Sequence, residues 1–333
     1  MLAIDFSAAV GYCNNIKYKK PPGADTRTGH GPGERTTMEI KELIRNVAMS
    51  HGMDMCGFSG IDRFDEAPPG RHPTDVLPGC KSVIVVGLRL LDGAVQSNFR
   101  AYEDGRQDLK GLYATYGYTT VPNFHLTYAC YAVAQAIERQ TGHTAAPLST
   151  GPMTNGTQIS IRHSAVAAGL GEFGWLGIVI TPRFGPRNRF GVILTTAEIE
   201  PDPLYQGPKL CDPQKCRICT DVCPVNAIPS CESGETRSCK LGTYGKVHYT
   251  RCQIASDGLL KKFGVEDDYI ENVDDPSPED IRAANAKKPI SERGLQHHES
   301  WHCGLCLSYC PVGGWKERFL DRELSGGASS LKV

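Results

Sequence analysis

No stretch of this 333-residue sequence approaches the roughly 20 consecutive apolar residues that a membrane helix needs. The best apolar run, Val83 to Leu91, is short and carries Arg89, so it reads as a buried strand. The N-terminal region lacks the basic start and apolar core of a secretory signal, and it has no twin arginine. The expectation is a cytoplasmic protein with no integral membrane segment. Charge of one sign is lacking too: 36 Lys+Arg stand against 37 Asp+Glu, a net charge of −1. That balance is unlike the electrostatic footprint of a dedicated nucleic-acid binder, so no nucleic acid is expected as a partner. With 40% hydrophobic residues, the chain is not mainly disordered either.

Cysteine, by contrast, is abundant and unevenly spread. Of 14 cysteines, Cys13, Cys56, Cys80 and Cys130 are scattered, whereas the other ten lie between Cys211 and Cys310. In a reducing compartment such clustering argues for metal binding rather than a disulfide framework.

Four segments follow from composition and periodicity. Residues 1–37 are polar and rich in Gly and Pro, and read as an N-terminal extension. Thr36 and Glu39 have capping-box spacing, and Ile40, Leu43, Ile44, Val47 and Ala48 then recur at helical intervals up to Gly52. Strands are expected around MDMCGFSGI and over Ser82–Leu88, the latter covered on both faces. A helix is expected from about Phe124 to Gln140, started by Pro122 and Asn123 and stopped by Gly142. Another covers Ile161–Ala168, and further strands lie at Ile178–Thr181 and Gly191–Ile199. This order implies an α/β layer domain over 38–205. From 206 to 320 the composition turns to Cys, Pro and short turns, and residues 321–333 form a polar tail. The long stretch between Cys252 and Cys303 should hold short helices of its own or contact a partner.

The cysteine spacing carries the chemistry. The first motif is Cys211-x4-Cys216-x2-Cys219-x3-Cys223-Pro224; the second is Cys303-x2-Cys306-x3-Cys310-Pro311, with Cys252 before it. The C-x2-C-x3-C-P run is the signature of bacterial ferredoxins, in which the fourth Cys ligates the other cluster. Crossing over in this way, one cluster takes Cys211, Cys216, Cys219 and Cys310, and the other takes Cys252, Cys303, Cys306 and Cys223. Cys211 sits two residues further back than the usual spacing, which leaves Cys231 and Cys239 as spare candidates. Structural zinc is the alternative, and the duplicated run disfavours it. Two clusters imply single-electron transfer, with the acceptor chemistry left to the α/β domain. The glycine run Gly169-Leu170-Gly171-Glu172-Phe173-Gly174 would let backbone approach a large flat cofactor, or form a helix cap and turn.

The stretch AVAAGLGEFGWLGIVITPRFGPRNRFGVILTTAEIEPDP (Ala165 to Pro203), followed by CRICTDVCPVNAI, resembles the reductive dehalogenase catalytic subunits and the related epoxyqueuosine reductases. LPGCKSVIVVGLRL upstream and YTRCQIASDGLL and CGLCLSYCPVGGW downstream extend the likeness over about 38–315. The resemblance implies a nitroreductase-like α/β (α+β) core that binds a base-off corrinoid (cobalamin). A ferredoxin-like domain with two [4Fe-4S] clusters would follow it. It further implies a cobalamin-dependent reductase acting on a small organic substrate, halogenated or otherwise. A low-potential donor of the ferredoxin or flavodoxin type would feed it. Such enzymes use a Tyr donor assisted by Lys or Arg, which here nominates Tyr131 or Tyr128 with Arg189 or Arg187; core packing and surface contacts are the alternatives. Epoxyqueuosine reductases carry a catalytic Asp before the AGLG segment, where this chain has Asn155, and Asn cannot donate a carboxylic proton. Trp175 stands where the family often has a basic residue. These departures favour the dehalogenase-like reading over epoxyqueuosine reduction. An electron-transfer or corrinoid-reactivating protein without its own substrate is the remaining alternative. His163, near the glycine run, reads as buried or facing the cofactor, and His297, His298 and His302 as solvated loop residues.

Overall fold

The computed structural model describes residues 36–148, 158–289 and 303–314. Asn155, Cys13, His297, His298 and His302 lie outside the described residues.

The chain enters helix α1 (Thr37–Ser50) through the expected capping box. Glu39 N–H donates to Thr36 Oγ1, and Glu39 Oε2 accepts from Thr36 N–H at 2.9 Å. Strand β1 (Met55–Gly60), helix α2 (Pro73–Val76) and strand β2 (Ser82–Arg89) follow. Next come α3 (Asp92–Glu103), α4 (Lys110–Leu112), a π-helix (Tyr113–Tyr118) and α5 (Thr120–Thr141). α5 ends at Gly142, whose φ of 72° fits the left-handed cap that glycine adopts without Cβ strain. It begins two residues before Pro122, because a proline in the first turn has no N–H to leave unpaired.

Strand β3 (Ala145–Pro147), helix α6 (Ile161–Ala167), strands β4 (Glu172–Phe173), β5 (Val179–Ile180) and β6 (Asn188–Thr195) complete the α/β part. The four-stranded sheet has the order β1-β2-β6-β3, and every neighbouring pair is antiparallel. Alternation along β2 and β6 explains their continuous apolar sequence. Ile84, Val86, Leu88 and Ile193 enter one core with Ile40, Ile44, Leu126 and Ile137 of α1 and α5. Val83, Val85, Val192 and Leu194 enter a second core with Ala165 and Val166 of α6. Each such side chain, fully buried, contributes about 1.5–3 kcal/mol, so both faces of β2 are covered for a physical reason.

Beyond residue 206 the elements are short. They are α7 (Ile218–Asp221), the hairpin β7 (Thr236–Cys239) and β8 (Gly242–Gly245), α8 (Tyr249–Ser256), α9 (Pro278–Lys287) and α10 (Leu305–Tyr309). The stretch between Cys252 and Cys303 does hold its own helix: α9 carries a capping box from Ser277 and Asp280 and packs Ile281 and Ala284 against Ile254, Leu259 and Phe263. Among the described residues no helix is long and apolar enough to cross a membrane.

Candidate functional site: two thiol quartets beside a cavity

The cysteine motifs fold into two neighbourhoods. Cys219 lies within electrostatic reach of Cys211, Cys216 and Cys310, and Cys310 in turn of Cys211 and Cys216. Cys306 lies within reach of Cys252, Cys303 and Cys223, and Cys252 of Cys303 and Cys223. The two sets approach each other through Cys306 and Cys219. Burial pushes the thiols up: Cys219 and Cys252 to about 12, Cys303 and Cys310 to about 11, and Cys211 and Cys306 in the same direction. Neighbouring thiols add to the rise. Among the described residues no three His, Cys, Asp or Glu side chains converge tightly enough for a single metal ion.

The loops are fixed by hydrogen bonds onto sulfur and carbonyl. Trp175 N–H donates to Cys211 Sγ at 3.2 Å, and Ala227 N–H to Cys223 Sγ at 3.2 Å. Glu172 Oε1 accepts from the N–H groups of Leu210 (2.6 Å) and Cys211 (2.9 Å). Arg187 is buried and donates to the carbonyls of Cys310 (2.8 Å), Leu307 (3.3 Å) and Val312. Asn98 of α3 donates to Cys303 O (2.9 Å) and Ser308 Oγ (3.1 Å). Gly304, at φ 57°, turns the chain into α10 with no room for a Cβ beside the Tyr113 hydroxyl.

A cavity of about 950 Å³ opens beside the second thiol set. Leu307, next to Cys306, is part of its wall, as are Tyr118, Asn123, Asn188 and Arg189. Arg189 Nε donates to Tyr118 O at 2.7 Å, and its guanidinium lies 4.0 Å from the centre of the Tyr118 ring. Burial raises the Tyr118 phenol, and the Arg189 charge opposes that rise. Cys252 and Cys306 act on the same phenol, so the cavity wall and the second thiol set are electrostatic neighbours. His163 also lines the cavity, with its Nδ1 2.7 Å from Ser160 Oγ. Burial and Arg162 hold its pKa below the ordinary value.

Several residues singled out from sequence sit elsewhere. Tyr128 and Tyr131 are 62% and 55% exposed on the outer face of α5 and do not line the cavity. The structure does not bring them together with Arg187 or Arg189. Of the two arginines, Arg189 faces the cavity, whereas Arg187 is spent on the carbonyls of the second cysteine motif. Gly169, Leu170, Gly171, Glu172, Phe173 and Gly174 are likewise absent from the cavity wall. Packing accounts for them: a Cβ at Gly169 would strike Pro203 O, and one at Gly171 would strike Ile180 O. Leu170 joins the second core, and Phe173 stacks on Tyr244. Of the spare cysteines, Cys231 opens a short 3-10 turn, and Cys239 lines the cavity.

Tyr118 and its neighbours Tyr102, Lys110 and Tyr113 escaped the sequence reading. For Tyr113 and Tyr118 the signal that could have found them is the run YATYGY, whose wide helical turn swings both inward. Among the described residues, Tyr113 Oη and Asn98 Oδ1 are the buried side-chain polar atoms with no hydrogen-bond partner. Both residues stand against the second cysteine motif.

No protein-family model matches the chain. Over 92 residues it is 42% identical to a tetrachloroethene reductive dehalogenase of Desulfitobacterium hafniense, covering 27% of this chain and 15% of that protein. Over 216 residues it is 27% identical to an epoxyqueuosine reductase of Staphylococcus aureus, covering 58% of this chain and 53% of that protein. The chain thus spans about half or less of these two relatives. Among solved structures, epoxyqueuosine reductase from Bacillus subtilis superposes with a TM-score of 0.52 at 18% identity, covering 84% of this chain and 66% of that one. Another epoxyqueuosine reductase structure, bound to a tRNA stem loop, superposes equally well over the same shares. At that identity the likeness is one of fold. In sequence the chain is related to the reductive dehalogenases and the epoxyqueuosine reductases, and its mixed α/β fold is that of the second group.

Proposed function

We propose that the chain is a cobalamin-dependent iron–sulfur reductase of the reductive-dehalogenase-like type, acting on a small organic substrate in the cavity beside the second thiol set. Its nitroreductase-like core would precede a ferredoxin-like module. Cys211, Cys216, Cys219 and Cys310 would hold one [4Fe-4S] cluster, and Cys223, Cys252, Cys303 and Cys306 the other. The donor set suits that group: eight thiols, buried at Cys219 and Cys310 and half-buried at the rest, repel one another as thiolates until a cationic iron core compensates them. The unpartnered Tyr113 hydroxyl beside Cys303 and Cys306 also suits a site that brings sulfur acceptors. The cavity lies at the upper end of the usual range for small-molecule sites, roughly 300–1,000 Å³, which suits a macrocycle. When bound, the corrinoid supplies low-valent cobalt, and the clusters supply single electrons at low potential.

The observation that carries the reading is the Tyr118–Arg189 pair on that wall. A phenol is protonated at neutral pH, and burial raises its pKa further, so Tyr118 holds a proton to give. The guanidinium over its ring stabilises the phenolate left after the proton is given away. Tyr118 therefore takes the donor role in place of Tyr128 and Tyr131. An electron carrier without its own substrate needs neither this cavity nor this pair.

Epoxyqueuosine reduction is the second reading, favoured by the longer alignment with that reductase and by the shared fold. The test is anaerobic purification of the full chain with cobalamin supplied, followed by metal analysis and turnover with a strong reductant. Two four-iron clusters predict about eight irons and one cobalt per chain. Halide release from chlorinated alkenes or phenols, lost in Tyr118→Phe, supports the first reading. Conversion of epoxyqueuosine in a tRNA stem loop supports the second, and iron without cobalt refutes both.

A further inference from the structure

Positive charge gathers in the cavity wall with little to balance it. Arg63, Arg162, Arg189, Arg237 and Lys240 all line it, and Glu66 is the one carboxylate of that wall among the described residues. Lys240 is answered by Asp65, 2.8 Å from its Nζ. Arg63 Nη1 donates to Asp202 O at 2.8 Å, and Arg189 lies over the Tyr118 ring. Arg162 and Arg237 are brought to a different ring, that of Tyr244, which also lines the cavity. In the β7–β8 hairpin Arg237 stands directly across from Tyr244, so their side chains share a face. From α6, the Arg162 guanidinium lies 5.7 Å from the centre of the Tyr244 ring and 5.5 Å from that of Tyr249. Its Nη1 donates to Gly177 O. Neither Arg162 nor Arg237 forms an ion pair with a described residue.

Packing explains one of these cations but not the pair. Ring contacts and a carbonyl orient Arg162, and they leave most of its N–H donors unused. The head of Arg237 has no hydrogen-bond partner among the described residues. Like charges drawn to one ring in a partly desolvated wall repel each other until an anion neutralises them. The forked donors of a guanidinium match the paired oxygens of a carboxylate or phosphate. Arg162 is half-buried within the cavity, so a ligand must enter to meet it. A small molecule can do so, whereas a nucleic-acid backbone is read by cations spread over an outer face.

We propose that Arg162 and Arg237, gathered at Tyr244, form an oxyanion subsite of the cavity, and that the substrate is a small organic molecule carrying a carboxylate or phosphate. This assignment rests on the reading of the cavity as the substrate site and adds the charge of the substrate to it.

The experiment is calorimetric titration of the anaerobically reconstituted full chain with benzoate, phenyl phosphate and the neutral benzamide, with iron and cobalt counted in every sample. Aromatic probes suit a wall that also holds Phe190 and Tyr244. Both anions should bind at least about tenfold more tightly than benzamide, the worth of one charge-assisted hydrogen bond. Arg237→Gln and Arg162→Gln should each remove about that factor, and Arg237→Lys should keep most of it. Arg183→Gln, an exposed arginine outside the cavity wall, should change nothing. Equal binding of benzamide, or an anion preference intact in both Gln variants, overturns the assignment. If Arg162→Gln fails to fold for want of its bond to Gly177, the exposed Arg237→Gln alone decides. The phosphodiester of a cobalamin tail is the other source of an oxyanion, and cobinamide lacks it. Cobalt retention that falls in the Gln variants with cobalamin but not with cobinamide gives the pair to the cofactor and overturns the substrate assignment. Binding of a tRNA stem loop that weakens in the Gln variants, with no binding of the small anions, overturns it as well. Iron or cobalt missing from the unsubstituted chain overturns the proposed function instead, and the anion preference of that same sample still decides this assignment.

Discussion

Replacing Arg187 by Met tests whether that arginine builds the second cysteine motif or takes part in chemistry. Its guanidinium is buried and donates to three carbonyls at 307, 310 and 312. Met matches the stem of the side chain but offers no donor. A hydrogen bond to a charged group contributes about 1.5–3 kcal/mol, and a buried carbonyl left unpaired costs about 1–3 kcal/mol. The contact to Leu307 is long at 3.3 Å and counts for little. Two strong bonds remain, so the loss should be roughly 3–6 kcal/mol. A domain has only about 5–15 kcal/mol in total, so the effect is large. The carbonyls concerned lie at and just after Cys310, hence the thiol itself should wander. Urea unfolding of the anaerobically reconstituted chain, followed by cluster absorbance, should show a much lower midpoint and reduced iron per chain. A variant with unsubstituted stability and iron content, deficient in turnover alone, would refute the reasoning and return Arg187 to the catalytic group.

Other consequences are smaller or more local. Tyr118→Phe should lower turnover about 10²–10⁴-fold, the usual worth of a general acid, with iron and cobalt content unchanged; unchanged turnover removes Tyr118 from the donor role. Gly304→Ala forces a Cβ into a positive-φ position against the Tyr113 hydroxyl and should cost about 1–3 kcal/mol, seen as a lower thermal midpoint. Adding Tyr113→Phe should recover part of that loss, because the hydroxyl in the way has no partner to lose among the described residues. His163 predicts a pH effect. Its folded pKa lies below the ordinary 6.5, so between the two values the unfolded chain holds more protons. The stability it contributes is therefore complete above about pH 6.5 and is lost as pH falls toward the folded value. His163→Gln should flatten stability in that window, and an unchanged acid slope would show that other groups set it.

Much of the fold was legible because burial leaves a period in the sequence. The Thr36–Glu39 box, the stop at Gly142 and the two-sided strand, expected over Ser82–Leu88 and found one residue longer, could all be read from local chemistry. α3 and the π-helix could not. Asn98 and Ser97 are buried polar residues on α3, and the wide turn at Tyr113–Tyr118 breaks the 3.6-residue repeat that a helical pattern relies on. The cysteine groupings match the spacing pattern, Cys310 falling with Cys219 and Cys223 with Cys306, because the doubled motif repeats the same short turn twice. The cavity wall did not, because Tyr118, Asn188, His163 and Leu307 come from four distant segments. Tyr128 and Tyr131 misled for a related reason. A shared helical face can be read from sequence, but whether it points inward is decided by the partner, and α5 turns Leu126, Val133 and Ile137 to the core instead.

The glycine run teaches the opposite lesson about small residues. Gly169 and Gly171 are needed because backbone carbonyls of Pro203 and Ile180 press against them. That close approach draws the chain from α6 into β4, where Glu172 can reach back to the N–H groups of Leu210 and Cys211. Trp175, a few residues on, gives its own N–H to Cys211 Sγ. A segment that sequence similarity marks as a cofactor cradle thus acts here on the first cysteine motif. β6 does the same for the second: Arg187, just before it, holds the loop of Cys310, and Arg189, two residues later, turns to Tyr118 and the cavity. Glu172, Trp175 and Arg187 therefore all hold cysteines of the first set, Cys211 and Cys310, and β6 also carries Arg189 to the cavity. A change at Glu172 should for that reason disturb the first set while leaving the Tyr118–Arg189 pair in place. A change at Arg187 should disturb the same first set, through Cys310, even though the loop it holds continues the second cysteine motif.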